Sequence, residues 1–301
     1  KIPPYLKKGD TIGLVAPAGF MPVENMQSCI ETFDAWGYTV QMGATTYSNS
    51  TNYFSGTDEE RLADLQQMLD DKKISAIFCA RGGYGLSRMI DDLSFKKFRK
   101  NPKWIVGFSD VTVLHAHLNR QYRIASLHAP MAAAFNEGEF NSPAIQSIRH
   151  ALEGQPASYE TAGDNRNRQG SAKGELVGGN LALLAHLVGT PSDIRTKDKI
   201  LFLEDIGEYL YNIDRMLVQL KRASKLDKLA GLIVGGFTDC KDTERPFGKD
   251  VPDIIREHVK DFDYPVCFGF PVSHEKENMA LKVGGTYQLK IEDSGVSLTE
   301  I

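Results

Sequence analysis

Apolar positions in the first half of the chain follow two alternating rhythms. Short apolar runs at 11–16, 38–42, 74–80 and 104–106 predict strands. Between them, apolar residues recur at helical spacing. Met26, Cys29, Ile30, Phe33 and Trp36 predict a helix over 23–36 that Gly37 ends. Leu62, Leu65 and Leu69 share one face of a helix opened by Thr57 and Glu60, a capping-box pair. A helix follows over 111–118, a short strand and turn over 123–130, and a helix over 142–153. Strands alternating with helices at this spacing indicate βαβ units and a parallel sheet. Residues 43–55 form a polar, turn-rich loop long enough to be suspected of function.

The rhythm breaks over 154–170, a polar stretch containing Pro156, Gly163 and the run 164–168. This places a first domain at 1–158, a linker at 159–170 and a second domain at 171–301. In the second half, strands are predicted at 171–177, 199–203, 229–234 and 264–270. The strand at 199–203 ends in Glu204-Asp205, and that at 229–234 ends in Gly235-Gly236. Gly178 to Ala182 leads into a helix. Another at 212–223 aligns Ile213, Met216, Leu217 and Leu220, and a third covers 252–260. Alternating segments at 287–291 and 296–301 read as antiparallel strands.

Composition changes this picture little. A length of 301 residues suits two domains, or one large one. A net charge of −4 without a basic run argues against a nucleic-acid surface. No apolar run approaches the roughly 18 residues that a membrane-spanning helix needs. Cys29, Cys79, Cys240 and Cys267 are scattered, without the spacing of a zinc site or a disulfide framework. Lys1 stands first rather than Met, which reads as a trimmed or renumbered N-terminus and leaves the compartment open.

The candidate chemistry centres on Gly107-Phe-Ser-Asp-Val111. Ser109 falls between a strand and a helix, where a sharp turn can project its hydroxyl beyond the sheet. The backbone N–H of Asp110 opens the helix and can meet a developing oxyanion. The second glycine of Gly-x-Ser-x-Gly is missing, and the competing reading makes Ser109 a helix N-cap. The loop Arg81-Gly-Gly-Tyr-Gly85 ends another strand, so it shares the carboxyl rim with Ser109. Gly82 or Gly83 is a candidate second oxyanion donor. No Gly-Lys-Ser/Thr follows, which disfavours a phosphate loop.

A serine nucleophile needs a base and an acid to orient it. Among seven histidines, His115 and His117 lie two apart on the helix and face different sides. His150, His186 and His258 fall on helices as surface or packing residues, and His128 is a candidate pocket lining. His274 stands out in a loop after a strand. For the acid, Glu204 closes a buried strand, with Asp205 and Glu208 as rivals that could instead cap a helix or pair with Arg215.

Seven motifs together resemble one family. Val-Ala-Pro-Ala-Gly19, Arg-Gly-Gly-Tyr-Gly85, Gly-Phe-Ser-Asp110, Gly-Gly-Asn-Leu181, Leu-Glu-Asp-Ile206, Ile-Asp-Arg215 and Ser-His-Glu275 occur in the order seen in LD-carboxypeptidases. The resemblance spans essentially the whole chain. It implies an α/β protein, with a flavodoxin- or glutamine-amidotransferase-like parallel-sheet domain followed by a β-rich α/β domain, the site lying between them. It also implies a triad of Ser109, Glu204 and His274, with Glu204 favoured over Glu208. The oxyanion hole would come from the Asp110 N–H and Gly82 or Gly83. Arg81 is a candidate partner for the substrate carboxylate, though it could equally brace its loop. The implied reaction releases D-alanine from a murein tetrapeptide, with no metal or cofactor, in a cytoplasmic homodimer serving peptidoglycan recycling. Two rival functions stand beside it: hydrolysis of peptidyl or aminoacyl nucleotide amides, as in the microcin-immunity branch of the family, and non-catalytic binding of peptide or sugar.

Overall fold

The apolar runs of the first half pair side by side as expected. The computed structural model describes residues 1–136 and 140–301. They form two units, Lys1–Gln155 with Met279–Lys282, and Pro156–Asn278 with Val283–Ile301. The first unit runs β1 (Thr11–Val15), α1 (Gln27–Ala35), β2 (Thr39–Met42), α2 (Asp58–Asp70) and β3 (Ile74–Cys79). It continues through α3 (Lys96–Lys100), β4 (Trp104–Gly107), α4 (Thr112–Tyr122), β5 (Ser126–His128) and α5 (Pro143–Leu152).

These strands pair in parallel in the order β2-β1-β3-β4-β5. They read as apolar runs because central parallel strands are covered on both faces. Phe33 of α1 packs edge-on against Phe78 of β3 at 4.9 Å, closing one face. The strand order reverses between β1 and β3. In open α/β sheets, the crevice beyond that switch point is where ligands bind. The loops that follow β1 and β3 therefore hold the favoured position. Thr57 caps α2 as its sequence predicts: its Oγ1 accepts from the Glu60 N–H at 3.2 Å, while Glu60 accepts from the Thr57 N–H at 2.8 Å. This satisfies two of the donors that a helix start leaves open.

The second unit contains β6 (Ser158–Ala162), β7 (Gly170–Asn180), α6 (Leu181–His186), β8 (Ile200–Ile206), α7 (Leu210–Arg222) and β9 (Gly231–Thr238). After α8 (Val251–Val259) and β10 (Val266–Cys267), the chain makes β11 (Leu281–Val283), β12 (Thr286–Glu292) and β13 (Gly295–Glu300). Its sheet has the order β10-β9-β8-β7-β12-β13-β6. The first four strands are parallel and the last four antiparallel, so β7 carries one partner of each kind. The stripe predicted on α7 is buried as Ile213, Met216, Leu217 and Leu220.

Two boundaries differ from the sequence reading. The linker placed at 159–170 is not a linker: Ser158–Ala162 is an edge strand paired antiparallel with β13. Its partner lies more than 130 residues away, and its alternation is too polar to announce a strand. The assignment of all of 171–301 to one domain also changes. Met279–Lys282 belong to the first unit, and β11 extends the first sheet beside β5. Among the described residues, no helix is long and apolar enough to cross a membrane.

Candidate active site

In the first unit, β4 delivers the chain into a tight corner at Ser109. Its φ is 61°, a left-handed conformation that costs a non-glycine residue roughly 1 kcal/mol or more. A short 3-10 turn, Ser109–Val111, then leads into α4. The N-cap position of α4 is Val111 and no side chain caps it, so Ser109 does not play the capping role. A strained serine between a strand and a helix is the geometry of a nucleophile elbow.

The loop after β3 lies against this corner. A β-carbon built on Gly82 would stand 3.0 Å from Ser109 Cβ and 3.2 Å from the Asp110 nitrogen, so only glycine fits flush there. The Gly82 carbonyl accepts from the Gly19 N–H at 3.0 Å, tying the loop to the one after β1. Gly83 follows with φ 94°. Arg81 donates from Nη1 to the Phe20 carbonyl at 2.6 Å, so its guanidinium braces the same pair of loops.

The Asp110 side chain is fully buried, and its Oδ2 accepts from the Leu86 N–H at 2.9 Å. Burial pushes this carboxyl up to about 6, against the opposing pull of the Leu86 N–H and of Arg61. Beneath the elbow, His115 bridges Ser126 Oγ and the Gly107 carbonyl, each at 2.7 Å. Burial lowers its pKa to about 4, so a neutral imidazole braces the end of β4. His128 is also wholly buried, edge-on to Phe108 at 5.7 Å. This corrects its assignment as a pocket lining: β5 is an inner strand, so its side chains pack inside.

The second unit brings together an acid and an imidazole. His274 Nδ1 lies 2.6 Å from Glu204 Oε2, and Glu204 is fully buried. β8 does not stop before Glu204 but runs on to Ile206. Its register with β9 shifts between Leu203 and Asp205, the kind of irregularity that re-aims a side chain. Donation from Nδ1–H to the carboxylate leaves Nε2 as the basic nitrogen.

The His274 loop is pinned from two sides. Val272 O accepts from the Gly236 N–H at 2.9 Å, and a β-carbon at Gly235 would stand 2.1 Å from that same oxygen. The glycine pair, which the sequence reading placed at the end of the strand, lies within β9 and is an approach surface for the loop. Inside the loop, Ser273 Oγ donates to Glu277 O and accepts from the Glu275 N–H, both at 3.0 Å.

The rival acids have other work. Asp205 accepts from Asn180 Nδ2 at 2.8 Å, Ala182 N at 2.9 Å and Ile206 N at 2.8 Å, fastening the start of α6. Burial nevertheless raises its pKa to about 6. Glu208 bonds to Asn212. His258 pairs with Asp214 at 2.8 Å, joining α8 to α7. Among the described residues, no cluster of three or more His, Cys, Asp or Glu could hold a metal ion.

Sequence reasoning missed three contributors: the Asp110 carboxylate, His115 as a brace, and a buried arginine on α2, Arg61. Arg61 did leave a signal, a cation directly after the three acidic residues that open α2.

Residues 12–129 match the LD-carboxypeptidase N-terminal domain, and residues 173–289 match the LD-carboxypeptidase C-terminal domain. A probable murein peptide carboxypeptidase of Bacillus subtilis is 34% identical over 285 residues, 94% of this chain and 89% of its own. The Microcin C7 self-immunity protein MccF of Escherichia coli is 25% identical over 335 aligned positions, covering 98% of this chain and 94% of its own. The crystal structure of a muramoyltetrapeptide carboxypeptidase from Oxalobacter formigenes superposes with a TM-score of 0.87 at 29% identity, over 96% of this chain and 98% of that one. With a sheet carrying a serine elbow, a second sheet carrying a His–Glu pair, and relatives matching along nearly its whole length, this chain belongs to the LD-carboxypeptidase family and is a serine carboxypeptidase.

Proposed function

We propose that this enzyme releases the C-terminal D-alanine of the murein tetrapeptide L-Ala-γ-D-Glu-diaminopimelate-D-Ala, in peptidoglycan recycling. The bond cleaved joins an L-centre to a terminal D-amino acid. Ser109 Oγ attacks the scissile carbonyl while His274 takes its proton. The tetrahedral intermediate collapses as His274 returns the proton to the leaving amine. Water then hydrolyses the acyl-enzyme through the same base. Glu204 holds the imidazole in the required tautomer and stabilises the imidazolium. The Asp110 N–H and a glycine N–H of the Arg81 loop receive the oxyanion.

The observation that supports this mechanism best is the 2.6 Å pair of His274 with a wholly buried carboxylate, Glu204. The family's murein-peptide names support the substrate, which remains our assignment for this chain. The test is incubation with defined tri-, tetra- and pentapeptides, reading the released amino acid and its chirality by mass spectrometry and chiral chromatography. Release of D-alanine from the tetrapeptide, abolished by Ser109→Ala, is the expected result. Unchanged turnover in Ser109→Ala would remove the nucleophile assignment.

A second substrate reading comes from the likeness to the self-immunity protein, which spans nearly the whole chain. On that reading, the triad proposed for this chain would act on a peptidyl or aminoacyl nucleotide amide. Side-by-side turnover of the tetrapeptide and a peptidyl-adenylate decides the matter. Exclusive cleavage of the latter would replace the murein assignment.

A further inference from the structure

The loop against the Ser109 corner is held at both ends, and at its far end by buried charge. At its start, Gly82 O accepts from Gly19 N and Arg81 reaches Phe20 O. At its far end, two groups hold adjacent residues of the loop and belong to no proposed step of the reaction. One is the Asp110 carboxylate, which accepts from the Leu86 N–H at 2.9 Å. The other is Arg61, a fully buried cation on α2.

Arg61 Nη1 donates to Pro17 O at 2.8 Å and to Gly85 O at 3.3 Å, and Nε donates to Gly56 O at 3.4 Å. Its guanidinium also pairs with Asp58 and lies over the Phe54 ring, 4.7 Å from the centroid. Asp58 in turn grips Arg88 through contacts of 2.6 to 2.9 Å. Burying a guanidinium is costly unless its donors are satisfied. Here much of that compensation comes from carbonyls on three different loops, two of which flank the switch point between β1 and β3. The planar fork can hold Pro17 and Gly85 at fixed spacing, which a flexible ammonium cannot reproduce. Arg61 and the Asp110 carboxylate also attract each other.

We propose that Arg61 is a positioning residue of the hydrolysis: with the Asp110 carboxylate it sets the distance between the glycine loop and the elbow, so that the two oxyanion donors converge. It touches no substrate. The inference rests on the oxyanion hole assigned above and adds what holds its two halves in register. Oxyanion stabilisation acts on the transition state, so losing that register should lower kcat and leave ground-state binding largely intact.

The experiment compares the unmutated enzyme with Arg61→Met and Arg61→Lys. It measures kcat and KM on the tetrapeptide, and affinity for a tripeptide boronate whose boron replaces the scissile carbonyl. The folded fraction of each variant is determined by circular dichroism and urea titration. Expected for Arg61→Met is a fall in kcat of about 30-fold, KM within about threefold, and boronate affinity falling in parallel with kcat. Arg61→Lys recovers only a few-fold of this loss. If Arg61→Met does not fold, the lysine variant carries the same comparison. A folded variant with unchanged kcat overturns the proposal, and so does a loss of kcat with boronate affinity intact. Failure of the function proposed above reads differently. The unmutated enzyme then releases no D-alanine, and the boronate comparison alone decides the role of Arg61.

Discussion

His274 Nδ1 and Glu204 Oε2 lie 2.6 Å apart although 70 residues separate them in the chain, and Glu204 has no exposed surface. A buried carboxylate in contact with an imidazole orients the ring and fixes its tautomer. Glu204→Gln keeps the shape and a hydrogen-bonding oxygen but removes the charge. Its kcat on the tetrapeptide is expected to fall by about 10² to 10⁴, with KM little changed. Steady-state kinetics on the purified variant check this. A loss below threefold would mean that the pair does not serve catalysis.

The strain at Ser109 gives a stability test that is independent of any substrate. At φ 61°, glycine is at ease while alanine is not. Ser109→Gly should therefore be more stable than Ser109→Ala by about 1 kcal/mol, while both are inactive. Urea unfolding midpoints compare them directly. Equal midpoints would argue that the elbow stores no strain.

Gly82→Ala probes the face of the loop that meets the elbow. Its methyl would stand 3.0 Å from Ser109 Cβ and 3.2 Å from the Asp110 nitrogen, so the corner or the loop must give way. Displacement of a few tenths of an ångström at an oxyanion hole should cost roughly tenfold in kcat. The rest of the fold has no reason to change, so the circular dichroism spectrum should match that of the unmutated protein. Full activity in Gly82→Ala would separate this loop from the chemistry.

Asp205 makes stability depend on pH. Burial raises its folded pKa to about 6, above the ordinary carboxyl value. The folded state therefore binds the proton more tightly than the unfolded chain. The resulting stabilisation is fully present below about pH 4 and is lost as pH rises through about 6. Relative to Asp205→Asn, the unmutated protein should gain up to about 3 kcal/mol between pH 7 and pH 4. Urea titrations of the two proteins across that range measure the difference. A difference that is flat with pH would show that the hydrogen bonds from Asn180, Ala182 and Ile206 hold the carboxylate in its ordinary range.

The sequence by itself determined the local order of the molecule. Apolar runs marked β1, β3 and β4, helical spacing marked α2 and α7, and the Thr57–Glu60 pair marked where α2 begins, because each signal lies within one element. The ordered motifs identified the family, and residue chemistry put Ser109, Glu204 and His274 forward. Only the tertiary structure decided what depends on distant partners. It turned the polar stretch around Tyr159 into an edge strand, because β13 supplies its hydrogen bonds. It returned β11 to the first sheet, and it gave His274 to Glu204 while Asp205 fastened α6. It also buried Arg61, whose loop carbonyls come from positions 17, 56 and 85. Periodicity records which face of a segment turns inward; which groups it meets there is settled by long-range packing.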